Sequence, residues 1–277
     1  MSNLSEIKRK IASVKQTKKI TGAMQTVSVS KLHKATELYA NAQAYFAELD
    51  EVMSMLIGSP AARSLSVKPN GNKLVIVITS DRGLCGSFDD DILKFADSVI
   101  SSDDIVMPVG SFGDEHYRSR PNTDLSFIHS YSASYGVARK MASNILERYG
   151  NDINSVSIVF AKSVSGAQQP IELDILPLES TSREDVEVDC FEPSVDAVFQ
   201  TLLPLYVAGK IYDALCEMNI AEHSARQSAM STATDSADKV ISALSLEYNQ
   251  ARQSAITEQI VEIIGATSAL GKQGNGQ

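Results

Sequence analysis

The chain has no tryptophan, and only 6% of its 277 residues are aromatic. A β-sandwich or barrel core rich in large rings is therefore not expected, and the Ala, Ser and Leu content favours helix packing. Cysteines are few and badly spaced: Cys85, Cys190 and Cys216 form neither a disulfide framework nor a zinc pattern. We read them as thiols of a reducing compartment. No HxxH or HxxxH pair exists among His33, His116, His129 and His223, so no metal site is expected. Long apolar runs are also missing. The longest aliphatic run, Leu74 to Ile78, is far short of the ~20 residues a membrane span needs. The N-terminus is charged from early on and lacks a signal-peptide apolar stretch, so any membrane association is expected to go through a partner.

Hydrophobic residues make up 43% of the chain, enough to bury a core. The net charge of −9 is uneven. Residues 1–40 carry Lys8, Arg9, Lys10, Lys15, Lys18, Lys19, Lys31 and Lys34 against Glu6 and Glu37, a local balance of +6 that leaves −15 elsewhere. The N-terminal segment therefore suits an acidic partner or a solvated helix face. Nucleic acid is a poor fit, because no aromatics interleave these cations and the whole protein is acidic, with a pI near 5.0.

Leu4, Ile7, Ile11 and Val14 fall on one a/d heptad register, and Leu32, Ala35, Tyr39, Ala42, Phe46, Leu49, Met53 and Leu56 continue it. This predicts a helix from about Ser2–Leu4 to Ile57, ending at Gly58-Ser59-Pro60, and roughly 80 Å long at ~1.5 Å per residue. One stretch breaks the pattern. Positions 18, 21, 25 and 28 are Lys, Thr, Gln and Ser, and the apolar residues move to Ile20, Met24 and Val27. Either the seam rotates there, or this face meets something other than its helix partner, or the coil stutters. A second heptad row, Thr234, Ala237, Ile241, Leu244, Tyr248, Ala251 and Ala255, predicts a C-terminal helix from about Val195 or Leu205 to Ala269. Pro204 would kink that helix or mark its start. The economical partner for each seam is the other helix, antiparallel.

Between them, strand and helix signals alternate. Strands are expected at Lys73–Ser80, Ile105–Gly110, Leu125–Ser130, Ser155–Ala161 and Ile171–Leu176, with helices at Asp89–Ser102 and Ser134–Tyr149. The fold class is thus α/β: a long antiparallel coiled coil of the N- and C-terminal helices plus a Rossmann-like, mostly parallel domain. The expected segments are 1–58 (helix), 73–190 (α/β domain), 194–270 (helix) and 271–277 (frayed tail).

The loop Ser80-Asp81-Arg82-Gly83-Leu84-Cys85-Gly86-Ser87 follows the first strand, where nucleotides often sit. It matches neither GxGxxG nor GxxxxGK[ST], and Asp81, Asp89, Asp90 and Asp91 would repel a phosphate. The three aspartates better suit the N-terminus of the next helix. Cys85 has no histidine nearby in sequence to serve as base. A structural turn or a protein contact is the reading preferred over a nucleotide site.

Four ordered blocks carry a family resemblance: IKRKIASVKQTKKITGAMQTVSVSKLHKA (Ile7–Ala35), SDRGLCGS (Ser80–Ser87), FEPS with LLPLY (Phe191–Ser194, Leu202–Tyr206), and AEHSARQSAMSTATDSA with LSLEYNQARQSAITEQIVEIIGATSAL (Ala221–Leu270). Over essentially its whole length the chain resembles the γ subunits of bacterial F-type ATP synthases. The resemblance implies a non-catalytic rotor shaft with no cofactor of its own. It would stand inside a ring of three α and three β subunits, work alongside ε and δ, and rest on a membrane c-ring at the cytoplasmic face of the inner membrane. It further implies that Lys18, Lys19, Met24, Arg82, Arg252 and Gln253 meet the β ring. Phe191 and Glu192 would lie at the foot, near the c-ring and ε. The chain departs from the family at Gly22 and Ser231, where lysine is usual, and in GLCGS for GLCGG. The alternative is a free-standing coiled-coil adaptor with an α/β head.

Overall fold

The computed structural model describes residues 2–57, 71–127, 133–164, 167–178 and 191–273. Its elements are α1 (Ser2–Leu56), β1 (Asn72–Ile78), α2 (Phe88–Val99), β2 (Ile105–Val109), α3 (Ser111–Tyr117), α4 (Tyr135–Arg148), β3 (Ile153–Val164), β4 (Ala167–Leu176) and α5 (Val195–Gln273). They divide into two compact units, and the division falls inside both long helices. One unit is Met1–Thr26 with Ser228–Gln277; the other is Val27–Gln227.

The larger unit is built on a four-stranded sheet in the order β2-β1-β3-β4. β1 pairs parallel with β2 and with β3. The run Leu74 to Ile78 is apolar throughout because β1 is central and covered on both faces; all five residues are fully buried. β3 and β4 pair antiparallel at the edge. Pro170 sits in β4, where an edge strand tolerates a missing donor. The strand begins at Ala167, ahead of the Ile171 expected from the sequence. Gly110 turns the chain from β2 into α3 with φ +98°, and a Cβ there would stand 2.2 Å from the Thr79 carbonyl oxygen, so glycine is required.

Two expectations are corrected. The stretch expected as a strand at Leu125–Ser130 is not one where it is described: the Asp124 carboxylate accepts from the Ser126 amide (3.0 Å) and hydroxyl (2.5 Å), a local turn that competes with extension. Its residues 128–130 lie outside the described set. Pro204 does not mark the start of the C-terminal helix. α5 begins at Val195, and the Ser194 Oγ accepts from the Ala197 amide at 3.2 Å as its cap.

Within this unit α1 runs antiparallel to α5. Tyr39 meets Glu217, Phe46 meets Tyr212 edge-on at 5.8 Å, and Asp50 pairs with Lys210 at 2.7 Å. Met53 and Leu56 of α1 join Phe199, Val207, Ile211 and Met218 of α5 in the same core as the sheet.

In the smaller unit the helices are also antiparallel. Lys18 Nζ lies 2.6 Å from Asp238 Oδ1, and the Thr21 and Thr234 hydroxyls bond at 2.8 Å. The expected rotation of the seam does not occur, and no stutter intervenes. Burial stays on positions 14, 18, 21, 25 and 28, while Ile20 and Val27 are more than half exposed. Polar side chains can hold the register because they satisfy one another across it. The C-terminal row Thr234 to Ala255 is at least partly buried throughout, as its spacing predicts. α5 remains helical through Gln273, past the expected boundary at Leu270; residues 274–277 lie outside the described set.

Candidate functional site

The loop after β1 is the most elaborately held feature of the larger unit. Asp89, in the first turn of α2 and only 4% exposed, accepts from the Ser80 amide (2.8 Å), the Ser80 hydroxyl (2.7 Å) and the Cys85 thiol (3.2 Å). Of the three helix-start aspartates expected to serve the helix dipole, this one also ties the loop down. Asp81 accepts from the Ser111 amide and hydroxyl at 3.0 and 3.1 Å. The far side of the loop is clamped by α5. Arg226 Nη2 donates to the Arg82 carbonyl at 2.7 Å, and Nε donates to the Gly83 carbonyl at 3.3 Å. Arg226 is itself paired with Glu222 at 2.5 Å and stands 3.2 Å from His223 Nδ1; all three are buried.

Two blocks distant in sequence, SDRGLCGS and AEHSAR, thus meet through one guanidinium. Sequence reading noted both blocks and missed their contact. The available signal was the charged run Glu222-His223 with Arg226 on a helix expected to pack. Burial pushes the Cys85 thiol up to about 12, with the Asp89 charge adding to it. A thiol so held is a hydrogen-bond donor rather than a nucleophile. Leu84 stands in the left-handed region (φ 68°) and is 59% exposed. An exposed large apolar side chain on a conformation that disfavours it is held there by the clamp on either side. The Arg82 side chain is exposed beside it and forms no ion pair among the described residues.

The other residues singled out from sequence do not converge on one place. Lys19 is exposed, and Met24 is half-buried. Lys18, expected to face a partner, is engaged by Asp238. Arg252 and Gln253 are exposed on α5, followed by an apolar stretch in which Ile256, Ile260, Val261 and Ile264 are each 46–63% exposed. Glu192 is exposed, whereas Phe191 packs partly against the core. Cys190 and His129 lie outside the described residues. Among the described residues no cluster of three or more His, Cys, Asp or Glu is arranged to hold a metal, and no helix is long and apolar enough to cross a membrane.

Two long terminal helices and a small mixed α/β sheet, with a hydrogen-bonded loop after β1, define a helix-pair protein with an α/β domain. The sequence profile of the ATP synthase family matches residues 3–270. An ATP synthase gamma chain of Heliobacterium modesticaldum is 34% identical over 98% of this chain and 100% of its own length. One from an Exiguobacterium species is 35% identical with the same coverage. Among solved structures, a chain of the Euglena gracilis mitochondrial ATP synthase superposes with a TM-score of 0.69 over 100% of this chain and 97% of its own, at 15% identity. A chain of the Tetrahymena thermophila mitochondrial central stalk and c-ring assembly gives 0.60 over 77% and 99%, at 21% identity. These structural likenesses concern the fold. The chain belongs to the ATP synthase gamma chain family.

Proposed function

We propose that this chain is the central rotor-stalk subunit of an F-type ATP synthase. It carries torque between a membrane ring and a catalytic ring and performs no catalysis itself. The observation that carries the reading is the match to ATP synthase gamma chains at 34–35% identity, over 98% of this chain and 100% of theirs. The exposed apolar residues from Ile256 to Ile264 support it, because a helical stretch of that kind suits a protein sleeve around it.

The partners are the α, β, ε and δ subunits and the membrane c-ring. The assembly sits peripherally at the cytoplasmic face of the bacterial inner membrane. Lys18, Lys19, Met24, Arg82, Arg252 and Gln253 serve the β ring, with Lys18 exchanging Asp238 for an acidic partner when it engages. Phe191 and Glu192 serve the foot, where only Glu192 offers an exposed side chain. Functionally the chain divides into 1–58 and 194–270 as shaft, 73–190 as foot, and 271–277 as a dispensable end.

The test is rotation. The chain is assembled with the α3β3 ring of a close relative, and a probe is attached to an exposed position of α4. ATP-driven stepping of the probe is expected. A ring that hydrolyses ATP while the probe stays still would overturn the reading.

A further inference from the structure

The larger unit holds a buried polar group that torque transmission does not account for. Asp213 and Glu217 stand one turn apart on the same face of α5. Tyr39 of α1 donates its hydroxyl to Glu217 Oε1 at 2.7 Å. Lys162 of β3 reaches the same Oε1 at 2.7 Å. Glu217 is only 7% exposed, and its other oxygen, Oε2, is buried with no hydrogen-bond partner among the described residues. Against Asp213 lies a cavity of about 30 Å³ lined also by Phe46, Leu49, Asp50, Tyr206, Gly209 and Lys210. That volume takes one water molecule, and its wall is polar enough to hold it.

The charge count does not close with both carboxyls ionised. Lys162 is committed to Glu217, and Lys210 is committed to Asp50 at 2.7 Å and lies over the Tyr206 ring. One negative charge on α5 is left without a cation of its own, in a place where a buried carboxylate oxygen already lacks a donor. Asp213 is half-buried; a charge taken even partly out of water beside a second carboxylate is costly, and the least costly remedy is a proton. We propose that Asp213 and Glu217 form a proton-sharing site, in which the pair holds one proton beside Tyr39 with a water in the adjoining cavity, and that loss of this proton as the pH rises weakens the α1–α5 contact.

The surrounding groups agree in direction. Burial first, then the Glu217 charge, holds the Asp213 carboxyl above its ordinary range, against the opposing influence of Tyr39, Lys210 and Lys162. Burial and the two carboxyls push the Tyr39 hydroxyl far above its usual value, so it stays a donor. An acid that holds its proton more tightly in the fold than when unfolded makes the native state bind more protons. Stability is then highest at acid pH and falls as pH rises from the unfolded carboxyl value, ~4, through the folded one.

This inference does not depend on the rotor reading, and its test uses the full chain alone. Thermal unfolding of the wild type and of Asp213→Asn is followed from about pH 3 to about pH 8, with the infrared carbonyl band of a protonated carboxylic acid as second readout. Asparagine imitates the protonated acid. It should match the wild type at the acid end and raise the midpoint by ~3 °C at the alkaline end, and part of the acid carbonyl band of the wild type near pH ~5 should be lost in the variant. Tyr39→Phe removes the shared donor and should steepen the alkaline fall in the midpoint. Overturning results are an Asp213→Asn midpoint lowered equally at every pH, or an acid carbonyl band near pH ~5 that is the same in both proteins; either makes Asp213 an ordinary ionised carboxylate.

Discussion

Arg226 Nη2 donates to the main-chain carbonyl of Arg82 across 144 residues of sequence, at 2.7 Å. The same guanidinium reaches the Gly83 carbonyl and pairs with Glu222, so one side chain ties α5 to the exposed loop. Arg226→Ala removes three interactions from a buried place and takes the cation away from Glu222. A loss of ~3 kcal/mol is expected, read by denaturant unfolding. Arg226→Lys keeps the charge without the planar fork and should recover only part of that loss.

The Cys85 thiol should be nearly inert. With its proton held up to about 12, its thiolate fraction near pH 8 is at least ~100-fold below that of an unperturbed thiol with a pKa of ~8.5. Alkylation of Cys85, followed by mass spectrometry, should be slower than that of a free thiol by at least the same factor. Arg226→Ala should speed it up, because the loop that shields the thiol loses its clamp.

His223 gives the larger unit a weakness to acid. Burial lowers its pKa; Arg226 and Lys31 add to that, while Glu222 opposes it. The native state therefore binds fewer protons than the unfolded one as pH falls below the ordinary histidine range of ~6.5. Stability contributed by neutral His223 is full above that range and is lost as pH falls through it. His223→Gln keeps an acceptor for Arg226 and should flatten this part of the stability–pH curve, measured by urea midpoints at a series of pH values.

Gly22 lies mid-helix in α1 with nothing within 4 Å of where a Cβ would stand. Gly22→Ala should stabilise the chain by ~1 kcal/mol, the helix-interior cost of glycine. Gly22→Lys, the residue usual in the family, should fold at least as well and strengthen any electrostatic engagement of the ring. The measurement is a salt titration of complex assembly.

Arg252 is exposed, so Arg252→Ala should leave stability within ~0.5 kcal/mol. It should nevertheless weaken ATP synthesis coupled to ion flow in reconstituted vesicles, if Arg252 and Gln253 engage the β ring. Deleting 271–277 should leave assembly unchanged.

The helix pair, its antiparallel sense and the parallel β1–β2 and β1–β3 pairings were legible, because heptad spacing and central-strand composition are written locally. The seam at Lys18, Thr21, Gln25 and Ser28 was not. Periodicity arguments count apolar residues, and here the register is kept by a hydroxyl pair and an ion pair spanning more than two hundred residues of sequence. The stretch at Leu125–Ser130 misled for a related reason: one aspartate, Asp124, bends the chain by accepting from Ser126, and local composition does not show it. The loop at Arg82 was visible as a motif, but its anchor at Arg226 depends on tertiary distance alone.

The most direct test of the rotor assignment is co-purification. The chain is tagged in its native host, the membrane is solubilised gently, and the bound subunits are identified and weighed by native mass spectrometry. The account predicts one copy of this chain with three α, three β, ε, δ and a membrane ring. Recovery of the chain alone, or with partners unrelated to an ATP synthase, would contradict it and favour the free-standing adaptor.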